Sequence, residues 1–298
     1  MGAHTLVKVT ADVHEVLDDD SVEAVAIATP AATHRDLAVA ALRAGKHVLM
    51  EKPLASSVSE GEEIVGLAKE LGLIVMCDHT YCYTSVVQKI RDLVASGAVG
   101  DVHYVDSVRI NLGIVQPDTD VFWDLAPHDL SILDFVLPES QRPQMVSAQG
   151  VDPIGSGRAC VGHLSMPLSG NALAHVHVNW LSPTKIRTFV VGGSKRTLVW
   201  DDLNPSQRLS IFDRGVDLVE RPLDAETKRS ALISYRTGDV VAPALPEVEA
   251  LGNVVNEFVE SIRENRPPRT DGESGLRVLR LLDAASRSLV GHGAMETA

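Results

Sequence analysis

The chain has 298 residues, 45% hydrophobic, 22% charged and 4% aromatic, with 27 Lys plus Arg against 40 Asp plus Glu and a net charge of −13. That length reaches the limit of a single core, about 250–300 residues, so two domains are expected. The acidic balance excludes the basic footprint that nucleic acid or an anionic membrane requires, yet it admits a phosphorylated small ligand, which needs only a few local donors.

Leu6–Val9 is at most one weak strand. Val22–Ala28 is a short apolar run ending in Thr29-Pro30, as expected of a buried parallel strand. His34–Ala44 has helical spacing, with Leu37, Ala38, Ala41 and Leu42 on one face and Gly45 placed to end it. His47–Glu51 is the next strand, stopped by Pro53. Ser57–Leu71 is helical and ends at Gly72; Leu73–Cys77 is a third strand; Val86–Ala95 is a third helix, ended by Gly97. Strands alternating with helices of this length predict a parallel, doubly wound sheet over residues 1–100.

From Val102 the character changes. Val102–Arg109, Ala172–Trp180, Arg187–Val191, Thr197–Trp200 and Leu209–Phe212 alternate between two faces, and turn clusters such as Gly192-Gly193-Ser194 separate them. That pattern predicts a mostly antiparallel sheet in a second domain, residues 101–298. One helix, Leu130–Val136, interrupts it, and two helices, about Glu247–Glu264 and Gly275–Val290, close the chain and are expected to pack back on the first domain. No apolar run reaches the roughly 18 residues of a membrane-spanning helix. Met1–Asp20 has no basic region ahead of an apolar block, so no secretory signal is expected. The three cysteines, Cys77, Cys82 and Cys160, make no disulfide framework. A cytoplasmic protein is the default.

A dinucleotide-binding half opens with Gly-x-Gly-x-x-Gly after its first strand and an acid about 20 residues later. Neither is present, and the βα alternation starts mid-sheet, so the chain reads as shortened at its amino end.

Three motifs stand in order: Ala26-Ile27-Ala28-Thr29-Pro30 with His34, then Gly45–Pro53 containing Glu51-Lys52-Pro53, then Trp123-Asp124-Leu125-Ala126-Pro127-His128-Asp129. With His177–Trp180 and Tyr235–Asp239 they resemble the Gfo/Idh/MocA oxidoreductases, above all the sugar-nucleotide dehydrogenases of that family. The resemblance implies a Rossmann domain, here lacking its glycine-rich βαβ unit, and an α+β domain with a large antiparallel sheet, the substrate lying between the two. It further implies hydride transfer between a sugar carbon and NAD or NADP, NAD being slightly preferred, and a homo-oligomer, dimer or tetramer. The expected substrate is a sugar with a secondary hydroxyl, nucleotide-linked and oxidised at C3. Inositol or aldose oxidation is the rival within enzymes, and a sugar-binding or assembly homologue without catalysis is the rival outside them.

Lys52 follows a strand's carboxyl end, where α/β sheets place ligands. An ammonium there stabilises an alkoxide and relays its proton; the alternative is an ordinary surface lysine. The resemblance makes Lys52, His128 and Asp124 catalytic and implies a cis bond before Pro53. Asp124 and His128 share a helix face if the segment is helical from Trp123, with Pro127 in its first turn; the alternative is a simple structural pair. Ala28, Thr29, Pro30, His34, Glu51 and His79, with Lys52, are expected at the cofactor. The bland account has Thr33 capping the helix and His34 exposed. Tyr81, Arg109 and Asn111, with Lys52, Asp124 and His128, are expected at the substrate, although Arg109 could equally be a strand-edge surface pair. Cys77, Cys82 and His79 lack a fourth ligand, so no metal is expected. Trp180 and Trp200 read as packing or interface residues.

Overall fold

The computed structural model describes residues 8–219 and 232–298. The weak strand expected at Leu6–Val9 lies partly outside them, and residues 8–10 have no regular structure. Two compact units emerge: Met1–Asp78 with Val255–Leu279, and His79–Val254 with Arg280–Ala298.

The first unit holds α1 (His14–Leu17), β1 (Ala24–Ile27), α2 (His34–Arg43), β2 (His47–Glu51), α3 (Val58–Leu71) and β3 (Val75–Asp78). The strands form a parallel sheet in the order β1-β2-β3, with Ile27 opposite Met50 and Glu51 opposite Asp78. This is the Rossmann-type sheet that the βα alternation predicts. Buried Val48, Met50 and Met76 make near-continuous apolar strands, as a sheet covered on both faces requires. Ser57 caps α3 by accepting the N–H of Glu60, while Glu60 accepts the N–H of Ser56, and Gly72 ends the helix at φ +67°. The outer edge of β3 is covered by Thr270, whose carbonyl accepts from the Cys77 N–H at 2.9 Å and whose hydroxyl donates to the Cys77 carbonyl at 2.7 Å.

The second unit contains α4 (Ser85–Ala95), β4 (Val102–Leu112), α5 (Val121–Val136), β5 (Met145–Val151), β6 (Val161–Leu168), β7 (Ala172–Asn179), β8 (Leu181–Gly193), β9 (Thr197–Asp201), β10 (Leu209–Val219) and β11 (Leu232–Val241). Helices α6 (Ala250–Glu264) and α7 (Gly272–Val290) each have residues in both units, and β12 (Glu296–Thr297) ends the chain. The described strands make a nine-stranded sheet, β11-β10-β9-β8-β4-β7-β6-β5-β12, antiparallel except at β4–β7. The large antiparallel sheet is therefore as expected.

Three local differences have physical causes. Helix α5 starts nine residues before the expected Leu130, because Asp120 accepts the N–H groups of Phe122 and Trp123 at 2.9 and 3.0 Å. Pro127 thus lies in the second turn, inside the helix, and forfeits only the bond to the Trp123 carbonyl. Strands β5 and β6 escaped prediction because Gly150, Gly162 and Pro167 break their alternation. Gly162 is a packing device: a Cβ there would meet Phe122 Cζ at 2.0 Å, so its absence lets α5 lie on the sheet. Gly192 and Gly193, expected as a turn, belong to β8, where the Tyr104 ring occupies the space of a Gly192 side chain.

Candidate functional site

In the first unit the expected residues gather at the carboxyl ends of the parallel strands. Ala28, Thr29 and Pro30 are exposed after β1. Lys52 is half-buried after β2, and the Lys52–Pro53 bond is cis. His34 is 1% exposed, which overturns its exposed alternative. Its Nδ1 lies 2.9 Å from the Pro53 carbonyl and its Nε2 2.9 Å from the Thr29 carbonyl. A neutral imidazole donates to only one of these carbonyls, so one tautomer ties α2 to the loop after β1 through Thr29 and the other ties it to the Lys52–Pro53 turn through Pro53. Thr33 does not cap α2; its hydroxyl donates to the Pro30 carbonyl and pairs with that of Thr29. The backbone donors opening the Ala31–Thr33 turn are left without a side-chain cap.

Glu51 Oε2 accepts the Lys52 N–H at 2.5 Å. Burial pushes the Glu51 carboxyl above its usual range, and Asp78, its register partner, pushes it further. Asp78 is 8% exposed and was missed in the sequence. Its signal was available, because it ends a parallel strand where ligands collect.

In the second unit the chain begins with buried His79 and then a tight turn, Thr80–Tyr83, that carries Tyr81. Arg109 comes from β4, between β7 and β8, so it is neither at a strand edge nor at the surface. Its Nε donates to Asp129 Oδ2 at 2.8 Å, its Nη2 to Asp129 Oδ1 at 3.0 Å, and its Nη1 to the Tyr81 hydroxyl at 3.1 Å. Burial opposes the Arg109 charge, but Asp129 and Tyr81 outweigh it and hold the guanidinium above its usual value. The Tyr81 ring meets the His128 ring edge-on, with centroids 5.1 Å apart, and Trp200 approaches it at 5.9 Å.

Helix α5 carries Asp124 and His128 one turn apart, both half-buried. Trp180 does more than pack: its Nε1 donates to Asp124 Oδ2 at 3.0 Å. Asp124 and Trp180 line a hollow of about 450 Å³ with Asn111, Leu112, Ile114 and Gln116. Asn111 thus joins Asp124, whereas Arg109 joins Asp129 and Tyr81, and Tyr81 in turn meets His128. Asp129, Trp180 and Arg187 were absent from the sequence-based site. Asp129 had a signal, since β4 alternation places Arg109 on the buried face with Ser107, where a charge needs a partner.

Two profiles of one family match the chain: the oxidoreductase family with an NAD-binding Rossmann fold over residues 2–79, and the GFO/IDH/MocA C-terminal domain over residues 87–199. An uncharacterised oxidoreductase of Escherichia coli is 30% identical over 71% of this chain and 65% of its own length. The UDP-N-acetylglucosamine 3-dehydrogenase of Acidithiobacillus ferrooxidans is 27% identical over 87% of this chain and 76% of its own. Thus the chain spans about two-thirds to three-quarters of these relatives. A structure of the latter enzyme superposes with a TM-score of 0.76 at 24% identity, covering 96% of this chain and 84% of that one. An inositol dehydrogenase homologue of Azotobacter vinelandii, solved with NADH and myo-inositol, gives 0.77 at 21%, covering 96% and 80%.

Proposed function

The chain belongs to the Gfo/Idh/MocA family of oxidoreductases, and from that membership we propose that it oxidises a secondary hydroxyl of a sugar, nucleotide-linked and attacked at C3, with NAD in preference to NADP as hydride acceptor. The observation that carries this reading is Lys52 at the carboxyl end of β2, beside the carboxylates of Glu51 and Asp78. These residues fit the ribose–nicotinamide end of a dinucleotide. Glu51 offers acceptor oxygens to ribose hydroxyls, Thr29 and Pro30 present an exposed edge, and the uncapped Ala31–Thr33 turn offers N–H groups to an anion. When bound, the nicotinamide supplies the hydride acceptor.

Lys52 stabilises the negative charge that develops on the sugar oxygen and relays its proton. His128 orients the hydroxyl and shares in that proton transfer. Asp124, held by Trp180, binds a neighbouring hydroxyl. Asn111 lines the same hollow and adds an amide to substrate recognition. The relative that acts on UDP-N-acetylglucosamine, 27% identical, supports the nucleotide-linked substrate, and the inositol dehydrogenases at 21–22% identity make an inositol the rival. The setting proposed is cytoplasmic and the assembly a homo-oligomer; among the described residues no helix is long and apolar enough to cross a membrane.

The test uses the full chain with a UDP-sugar and, in parallel, myo-inositol, following NADH formation. Lys52→Ala should lower turnover by about 10²–10⁴-fold, the range for loss of a positioned acid–base group, while NADH binding by fluorescence changes little. Wild-type turnover in that variant removes Lys52 from its role. No binding of NADH or NADPH by the chain overturns the reading altogether.

A further inference from the structure

Deepening the reading of His128 as a proton-handling residue, and resting on it, we infer that Arg109 is a positioning residue for the His128 imidazole, acting through Asp129 on one side and Tyr81 on the other.

The first arm runs through the chain. Asp129 directly follows His128 in α5 and is 2% exposed. Its two oxygens receive the Arg109 fork, and Oδ1 also accepts the Ser107 hydroxyl at 2.8 Å. Two parallel donors on a carboxylate fix orientation as well as distance. The rotation of α5 about its axis at His128 is therefore set from β4. Ser131 adds a bond from its hydroxyl to the His128 carbonyl at 2.8 Å.

The second arm runs through space. The third corner of the same guanidinium donates to the Tyr81 hydroxyl, and its carbon lies 4.5 Å over the Tyr81 ring centroid. Arg187 donates to that hydroxyl as well, at 3.2 Å. With both acceptor positions of the phenol oxygen filled and its face covered, the ring is held at two places. That ring meets His128 at 72°. One guanidinium thus joins the chain neighbour and the ring neighbour of His128. Lysine could not replace it, because a point charge cannot serve three directions with fixed geometry. A group that transfers a proton must be held to within about half an ångström of its working position.

The experiment labels the 11 histidines with ¹³C in the full chain and assigns the His128 signal by its loss in His128→Asn. Two variants follow, Arg109→Lys and Tyr81→Phe. The second keeps the ring and leaves no buried charge unpaired, so it reports even if the first does not fold. In Tyr81→Phe the His128 ring signal should shift and its relaxation change while the distant histidines stay put. Turnover should fall about 10-fold, less than the 10²-fold that an ångström of misplacement costs, with KM unchanged. Adding Tyr81→Phe to Arg109→Lys should cost less than it does alone. An unmoved His128 signal in Tyr81→Phe overturns the inference, whatever the activity. A His128 signal that responds in a chain turning over no sugar leaves the positioning intact and removes the proposed reaction instead.

Discussion

At the scale of single residues, the carboxylates that end β2 and β3 give a measurable signature. Glu51 has a folded pKa raised by burial and by Asp78. Its contribution to stability is therefore full below the usual glutamate range and is lost as pH rises through the raised folded value. Glu51→Gln removes that loss and keeps an oxygen to accept the Lys52 N–H. Thermal melting should show the variant more stable than the parent at neutral pH, the difference closing as pH falls below the ordinary glutamate range. A difference independent of pH would remove Asp78 repulsion and burial as its cause. The sequence pointed to Glu51 as a ligand residue but not to Asp78, because the pairing of the two is a property of strand register. His34 shows the same limit. Its helical spacing says nothing of two carbonyls, five and 19 residues away, that meet its ring nitrogens.

At the scale of elements, α5 was half legible. Its apolar spacing from Leu130 onward marks a helix, while Pro127 imitates a start. Only the Asp120 side chain, folded back on two N–H groups, shows that the helix begins at Val121. Its seat on the sheet depends on Gly162. A Cβ at that position overlaps the Phe122 ring, with three ring atoms between 2.0 and 2.6 Å away. Gly162→Ala should therefore destabilise the chain by about 1–3 kcal/mol, the usual cost of overpacking, as read from urea unfolding. Phe122→Leu in the same background should recover part of that loss. An unchanged midpoint would show that the ring moves aside freely.

At the scale of the whole molecule, one face of β7 presents Ala172, Ala174, Val176 and Val178 to the interior, whereas Leu173, His175, His177 and Asn179 point the other way. Apolar groups are exposed elsewhere in the same sheet, Val216 at 59% and Tyr235 at 73%. A broad sheet with exposed apolar groups favours self-association. Sedimentation velocity should accordingly find a dimer or tetramer, and a monomer at every concentration would remove the proposed assembly.

Period and punctuation in the sequence alone determined the βα alternation, the change to a long antiparallel sheet, and the place of Lys52 at a strand end, because apolar spacing and strand ends are local properties of the chain. Asp124 and His128 were singled out by the family resemblance of their motif. Tertiary structure decided what those residues work with. Asp78 comes to Glu51 through a parallel register, Trp180 to Asp124 across 56 residues, and Arg109 to Asp129 across 20 and Tyr81 across 28. Such partners are chosen by the need to pair buried charges and satisfy buried donors. That requirement arises only when distant segments are removed from water together.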